Sequence, residues 1–469
     1  MEIFLRQRGG IVKNIFKRKP SEFTTEYTVM NAIKKGDLLT RLSLVIMGAG
    51  NIARKQFVKG ILFLLAEISY IFYMVSYGIY SLTELPTLGH YEYKEYETSW
   101  GGYEYEIVGI PSVQVLLYGV VTIVLTLLFI ALWRETVKSA YKAQCYAKEG
   151  KHNNSFFEDI KDLFNVNLHK LLLALPLAGI LTFTILPLVF MILQAFTNYS
   201  DEGNKLNKFD WVGLDSFKQV FDLEGSIGAQ FGSVLVWTIV WAIFATALNY
   251  ILGMILALVI NRKGTRLKAM WRFNFILSIA VPQFVSLLVV RTLLNDNGAI
   301  NNLLRDWGLI DKALPFWTDP TWARVSVIII NLWVGIPYTM LQITGILQNI
   351  PAELYEAARV DGANAFVTFF KITLPYMLFV TTPYLITTFT GNVNNFNVIY
   401  LLTGGGPSTV GNTAGETDLL VTWLYKLTID KYDYNIGAVI GIMTFVVLAI
   451  VSLVTYRSTG SYKNEEGFQ

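Results

Sequence analysis

The chain has 469 residues, 53% of them hydrophobic and only 16% charged, with a formal net charge of +3. Soluble domains carry about a quarter charged residues, so this composition excludes an ordinary water-soluble enzyme and points to a polytopic membrane protein. The single cysteine, Cys145, rules out an intramolecular disulfide and a cysteine-based metal cluster, and three scattered histidines (His90, His152, His169) suggest no zinc set.

Residues 1–56 are polar and basic, with eleven Lys or Arg against four Asp or Glu. Basic segments favour the cytoplasm, so they read as a cytoplasmic N-terminal arm with no cleavable signal sequence. Apolar residues over 29–47 recur at roughly helical spacing, which suits a helix on the membrane surface and equally a solvated arm. Residues 57–80 form the first span, long enough for the ~30 Å hydrocarbon core at about 1.5 Å per residue. Glu67 lies inside that run and needs a partner. Residues 81–110 hold six Glu, one Lys and a run of tyrosines (Tyr91, Tyr93, Tyr96, Tyr103, Tyr105), reading as an external hairpin or loop. Residues 111–133 are the second span, and 134–169 form a basic cytoplasmic linker.

Six more spans follow: 170–196, interrupted by Pro176 and Pro187; 232–260; 273–294, with Pro282 in its middle; 323–347, carrying Pro337; 375–402; and 435–456. The segment 197–232 has six acidic residues against three lysines and reads as external, whereas 261–272 has five Lys or Arg and no acid and reads as internal. The loops 295–322 and 403–434 then fall outside, each with a short helix, and 457–469 is a cytoplasmic tail. The prediction is an all-α fold of eight transmembrane helices with both termini inside. The organisation is an arm (1–56), two accessory spans with an external loop (57–133), a linker (134–169), a six-helix core (170–456) and a tail.

Residues 349–375, NIPAELYEAARVDGANAFVTFFKITLP, are a polar helix-forming segment between two apolar runs, on the inner side by charge counting. Pro351 suits the first position of a helix, where a missing N–H costs nothing. Residues 352–361 are good helix formers, Gly362 supplies a left-handed stop, and a second helix restarts over 363–371. The product is a helix–turn–helix elbow that offers a knob: the Glu356 carboxylate beside the small side chains of Ala357 and Ala358. Glu356-Ala357-Ala358, three residues, Gly362, nine residues, Ile372, one residue, Leu374-Pro375 resembles the EAA loop of ABC importer membrane subunits. That resemblance implies a coupling helix that docks into a cleft of a cytoplasmic ATPase subunit, with Glu356, Ala357, Ala358, Asp361 and Gly362 as coupling positions.

Two further stretches carry polar groups inside spans. Asn392, Asn394, Asn395 and Asn397 crowd the end of one span, where each is costly unless it pairs or faces water. Residues three apart share a helix face, so Asn392 and Asn395 are expected to present two carboxamides on one side. Asn331, Trp333 and Tyr338 surround a Gly335–Pro337 break. Carboxamides with aromatic faces and no fixed counter-charge suit a neutral polyhydroxylated ligand such as a sugar; inter-helix amide bonds are the plainer alternative. No GxxxxGK[ST] loop occurs, since His152 follows Gly150-Lys151 where Ser or Thr is needed. Neither nucleotide binding nor enzymatic catalysis is therefore expected of this chain, and no cofactor or metal.

NLWVGIPY (331–338), FFKITLP (369–375), NNF (394–396) with LLTGGGP (401–407), and TDLLV (417–421) together look like the MalF-type subunits of maltose/maltodextrin ABC importers. The likeness runs over about 170–456, with the family's shared transmembrane domain at about 232–456. It implies a type I ABC importer permease fold and a sugar held midway across the membrane by Gln283, Asn331, Val334, Gly335, Tyr338, Asn392 and Asn395. It also implies partners: two copies of an ATPase subunit, which uses the ATP, a second homologous permease subunit of the MalG type, and an extracytoplasmic sugar-binding protein. No nucleic acid is implied. Gly391 stands where the family has an aromatic stacking residue and Gln283 where it has a serine, which bears on which ring fits. The external 197–232 is far shorter than the domain some MalF subunits carry there, so docking would fall to 295–322 and 403–434. The expected role is thus an oligosaccharide permease subunit in the cell membrane, for maltose/maltodextrin or another neutral glycan such as a galacto-oligosaccharide. The competing class, an ion-driven secondary transporter, would want an acid in the core spans; Glu67, in the first span, is the sole candidate in depth.

Overall fold

The computed structural model describes residues 27–458 apart from 91, 98–99 and 263; the first part of the expected arm, 1–26, and the tail from 459 lie outside the described residues. The chain divides into two compact units, the first ending at Phe190 and the second beginning at Met191. The division falls near the end of the third span.

In the first unit, three short helices precede the first span: α1 Val29–Lys35, α2 Leu38–Leu42 and α3 Ala49–Ile52. Thr28 caps α1 by accepting from the Asn31 N–H, and Asp37 caps α2 by accepting from the Thr40 N–H. The first span, α4 (Phe57–Glu84), packs on α5 (Ser112–Lys148). Hydroxyl pairs tie them: Tyr70 Oη to Thr126 Oγ1 at 3.0 Å and Tyr73 Oη to Thr122 Oγ1 at 2.8 Å. Between them lie the only strands among the described residues, β1 (Glu92–Glu97) and β2 (Tyr103–Val108), an antiparallel hairpin registered from Glu92↔Val108 to Glu97↔Tyr103. Of the two forms expected for this segment, hairpin and loop, it takes the hairpin. At 37 residues, α5 is about 55 Å long and outruns the ~30 Å bilayer core. Helix α6 (Phe156–Phe164) follows, and α7 (Leu168–Gln194) is the third span.

The second unit begins within α7 and continues through α8 (Asp215–Phe221) to α9 (Ser226–Asn261), its central helix. Helix α9 buries Trp237, Trp241, Ala242 and Ala245 in one core cluster and Tyr250, Met254 and Ala257 in another. Between helices in lipid, close packing holds elements together more than hydrophobic transfer does, and small residues permit it. At Gly253 a Cβ would sit only 2.7 Å from Thr339 Cβ, which fixes the approach of α9 to α13 (Pro320–Leu347).

The span expected at 273–294 is not one straight helix. It is α10 (Lys268–Ala280) and α11 (Gln283–Leu293), bent by 85°. Pro282 has no N–H and forces the preceding residue out of helical geometry; Val281 sits at φ −75°, ψ 128° and ends α10. After α12 (Ala299–Asp306) and α13 come α14 (Ala352–Val360) and α15, which runs as Ala365–Thr368, a π-helical turn Phe369–Thr373 and Leu374–Val393. The π-helical turns Leu181–Ile185 and Phe369–Thr373 each end two residues before a proline, Pro187 and Pro375. The widened turn absorbs the hydrogen bond that proline cannot make. Helices α16 (Phe396–Thr403), α17 (Leu420–Tyr425) and α18 (Tyr434–Ser458) complete the chain. Among the described residues, seven helices are long and apolar enough to cross a membrane, and the bent pair makes an eighth if counted as one span.

Candidate functional site

The elbow forms as its punctuation dictates, with two shifts of boundary. Pro351 precedes α14 as its N-cap residue and is not its first helical residue. After α14, Gly362 takes φ +75°, where a Cβ would be strained, and the Ala363 N–H donates back to Ala358 O at 2.8 Å. Asn364 then caps the next helix, its Oδ1 accepting from the Val367 N–H at 2.8 Å, so the helix restarts at Ala365 and not at Ala363. The elbow is anchored from beneath: Tyr355 and Phe369 pack against the cluster of Ile350, Met340 and Met377, and Tyr355 Oη meets Thr373 Oγ1 at 3.1 Å. Glu353, Glu356, Ala357, Arg359, Asp361 and Gly362 are exposed, and Val360 is exposed by 88%. Ala358 is buried. It therefore belongs to the anchored underside, and the knob is Glu356 with Ala357 and Val360.

The residues expected to face a sugar are spread over four elements: α11, α13, α15 and the N-cap of α16. On α13, Asn331 is 5% exposed and its Nδ2 has no hydrogen-bond partner. One turn on, Gly335 leaves room for Asn249 of α9; a Cβ there would lie 2.2 Å from Asn249 Nδ2. Asn249 is 6% exposed, and its Oδ1 is likewise without a partner. Val334 is half-buried and Tyr338 exposed. Gln283 opens α11 just past the 85° bend, half-buried.

Asn392 and Asn395 do not share a helix face. Helix α15 ends at Val393, and Asn395 is the N-cap of α16, its Oδ1 accepting from the Val398 N–H at 3.3 Å. Asn392 is buried; its Nδ2 donates to Thr246 Oγ1 at 2.9 Å, and its carbonyl accepts from Trp241 Nε1 at 3.0 Å. In this conformation its carboxamide is an inter-helix bond, the plainer of the two sequence readings. Thr246 and Asn249, three residues apart on α9, thus complete a polar seam with Asn392 and Asn331. Sequence reasoning missed both; the available signal was an Asn in the middle of an apolar run.

LLTGGGP and TDLLV prove to be one structure. Thr417 N–H donates to Gly405 O at 3.0 Å and Thr417 Oγ1 to Gly406 O at 2.6 Å, while Gly405 at φ +85° closes on the Asp418 carboxylate. Asp418 is fully buried and receives the Lys426 ammonium at 2.6 Å, the Gly415 N–H at 2.7 Å and the Thr422 hydroxyl at 2.8 Å. Burial pushes its carboxyl above the ordinary value, with Lys426 and the Gly415 N–H pulling it back. Beside it Arg324 pairs with Glu416 at 2.8 Å and lies over the Trp237 ring at 4.9 Å. This knot joins α9, α13, α16 and α17. Glu67, in the first span, has its partner too: its carboxylate accepts from the Met47 N–H at 2.8 Å.

A family model described as the binding-protein-dependent transport system inner membrane component matches residues 249–460. The galactooligosaccharides transport system permease protein GanP of Bacillus subtilis (strain 168) is 35% identical over 431 residues, 90% of this chain and 97% of that protein. The maltodextrin transport system permease protein MdxF of the same organism is 33% identical over 449 residues, 94% of this chain and 99% of that protein. Among solved structures, a bacterial ABC transporter involved in the import of the acidic polysaccharide alginate matches with a TM-score of 0.53 and 25% identity, covering 63% of this chain and 96% of that one. By these matches, and by its array of apolar spans, the chain belongs to the family of binding-protein-dependent transport system inner membrane components.

Proposed function

We propose that this chain is the transmembrane permease subunit of an ATP-driven ABC importer for an oligosaccharide, maltose/maltodextrin in the first place. The observation that carries this reading is the elbow. An anchored nine-residue helix, α14, presents Glu356, Ala357 and Val360 outward, a shape suited to a cleft on another protein. Two copies of an ATPase subunit would grip this elbow and its counterpart on a second, MalG-type permease subunit. An extracytoplasmic sugar-binding protein would deliver the sugar to the outer loops. The chain is then a multi-pass protein of the cytoplasmic membrane with both termini and the elbow inside. ATP hydrolysis belongs to the ATPase subunit, and this chain uses no cofactor or metal of its own.

The mechanism is a two-state rearrangement of packed helices biased at the elbow. Asn331 and Asn392 are buried in helix seams in this conformation. Sugar binding through them, with Gln283, Val334, Gly335, Tyr338 and Asn395, requires α9 to part from α13 and α15. Asn392 can trade the Thr246 hydroxyl for a sugar hydroxyl with little net change in hydrogen bonding, and the unpartnered Asn331 Nδ2 would gain an acceptor.

A galacto-oligosaccharide is the second reading, favoured by the likeness to GanP at 35% identity against 33% for MdxF. An ion-coupled secondary transporter is disfavoured, since Glu67 is engaged by Met47 and the elbow would have no purpose. Uptake by vesicles holding the chain with its purified partners, over a panel of maltodextrins and galacto-oligosaccharides, tests the assignment. ATP-dependent uptake of maltodextrins is expected; uptake of neither class would refute it.

A further inference from the structure

The transport reading leaves residues 27–56 unused, and they carry an apolar surface that no other part of their unit covers. Ala32, Thr40, Ser43 and Met47 are fully buried, with Ala32 packing against Val137 and Tyr141 of α5. Leu38 and Val45, by contrast, are exposed by 83% and 75%, and Met30 and Ile46 are exposed beside them. Lys34, Lys35, Arg41 and Lys55 are exposed on the same segment.

The turn after α2 is also held at an unexpected level. Glu67 lies ten residues into α4, about 15 Å along the helix from Phe57, and its carboxylate accepts from the Met47 N–H. Gly48, at φ +84°, rests on Gly60, where a Cβ would stand 2.2 Å from Gly60 O. Trp133 Nε1 donates to Leu44 O at 2.9 Å. These three contacts draw the turn back alongside the first span, where α4 itself exposes Ile61, Leu62 and Leu65. A chain bound for water has no reason to spend a carboxylate inside a span on such a fold-back, nor to place Val45 and Ile46 at its tip.

We propose that residues 43–48 form a re-entrant wedge in the inner leaflet of the bilayer, fastened by Glu67. Helices α1 and α2 then lie at the headgroup level, apolar side chains toward the acyl region and basic ones toward anionic phospholipid headgroups. The continuity of the wedge with the apolar surface of α4, and the sign of its charges, select lipid as the occupant. Glu67 is a positioning residue here: it satisfies one backbone N–H that the inserted turn could not otherwise pair.

The test uses the full chain in a Cys145→Ser background, with nitroxide labels at Val45→Cys, Leu38→Cys or Lys35→Cys. The protein is reconstituted in phosphatidylcholine–phosphatidylglycerol vesicles. Collision with oxygen, which partitions into lipid, is compared with collision with a water-soluble nickel chelate. The Val45 label should favour oxygen several-fold, the Lys35 label should favour nickel, and the Leu38 label should fall between. A Val45 label that favours nickel would overturn the proposal, and so would one shielded from both agents, which would mean a protein covers the turn. Glu67→Leu should shift the Val45 label toward nickel, whereas Glu67→Gln, which keeps an acceptor, should not. An unchanged depth in Glu67→Leu, with the same helical signal and elution, would overturn the fastening.

Discussion

Asn249 and Gly335 meet across the seam of α9 and α13 so closely that a Cβ at position 335 would stand 2.2 Å from Asn249 Nδ2. The glycine is thus a space reserved for a buried carboxamide, one turn from the Asn331 amide on the same helix. Gly335→Ala should overpack the seam and cost about 1–3 kcal/mol, read as a lowered melting temperature in detergent. Adding Asn249→Ala should restore most of that loss, because the two residues share one contact. A Gly335→Ala protein that melts like the parent would show that the helices do not approach as described.

Asn395 serves two purposes that substitution can separate. As the cap of α16 it satisfies the Val398 N–H, and its replacement by Ala should lose about 1 kcal/mol. Asn395→Ser keeps a capping oxygen but removes the carboxamide. We expect Asn395→Ser to hold the melting temperature while sugar uptake falls several-fold. Full uptake in Asn395→Ser would leave the residue a cap and nothing more.

The outer knot is expected to govern stability. Asp418 is fully buried against Lys426, and removing one member of a buried pair strands the other charge, at about 3–5 kcal/mol. Asp418→Ala should therefore reduce the folded yield sharply. Glu416→Gln, whose partner Arg324 is about one-third exposed, should cost under about 1 kcal/mol. Comparing the two by thermal melting of purified protein checks the ranking; equal losses would contradict it.

What the sequence disclosed follows from how strongly each position constrains the backbone. The elbow was legible because Pro351 fixes its own φ and Gly362 readily takes the left-handed conformation, and the structure uses both as punctuation; the Asn364 cap that sets the restart was not read. The bend at Pro282 was harder to read. Pro337 and Pro383 sit inside continuous helices, so proline alone does not decide whether a span breaks; packing on both sides does. The end of α15 at Val393 carried no signal, because Asn392 to Asn395 fits helical spacing and no Gly or Pro lies between. Asn249 was hidden for a different reason. One polar residue in an apolar run has no periodicity, and its meaning depends on Gly335, 86 positions away along the chain. The Glu67–Met47 bond was foreseen only as a need for some partner.

The central claim is that α14 is where a nucleotide-hydrolysing partner takes hold, and one measurement bears on it most directly. The full chain, affinity-purified from native membranes, should bring down a protein carrying a GxxxxGK[ST] loop. Glu356→Lys with Gly362→Pro, which reverses the exposed charge and breaks the left-handed turn, should lose that protein while the permease still inserts in the membrane. Retention of the ATPase by the double variant, or its absence from the parent preparation, would contradict the account.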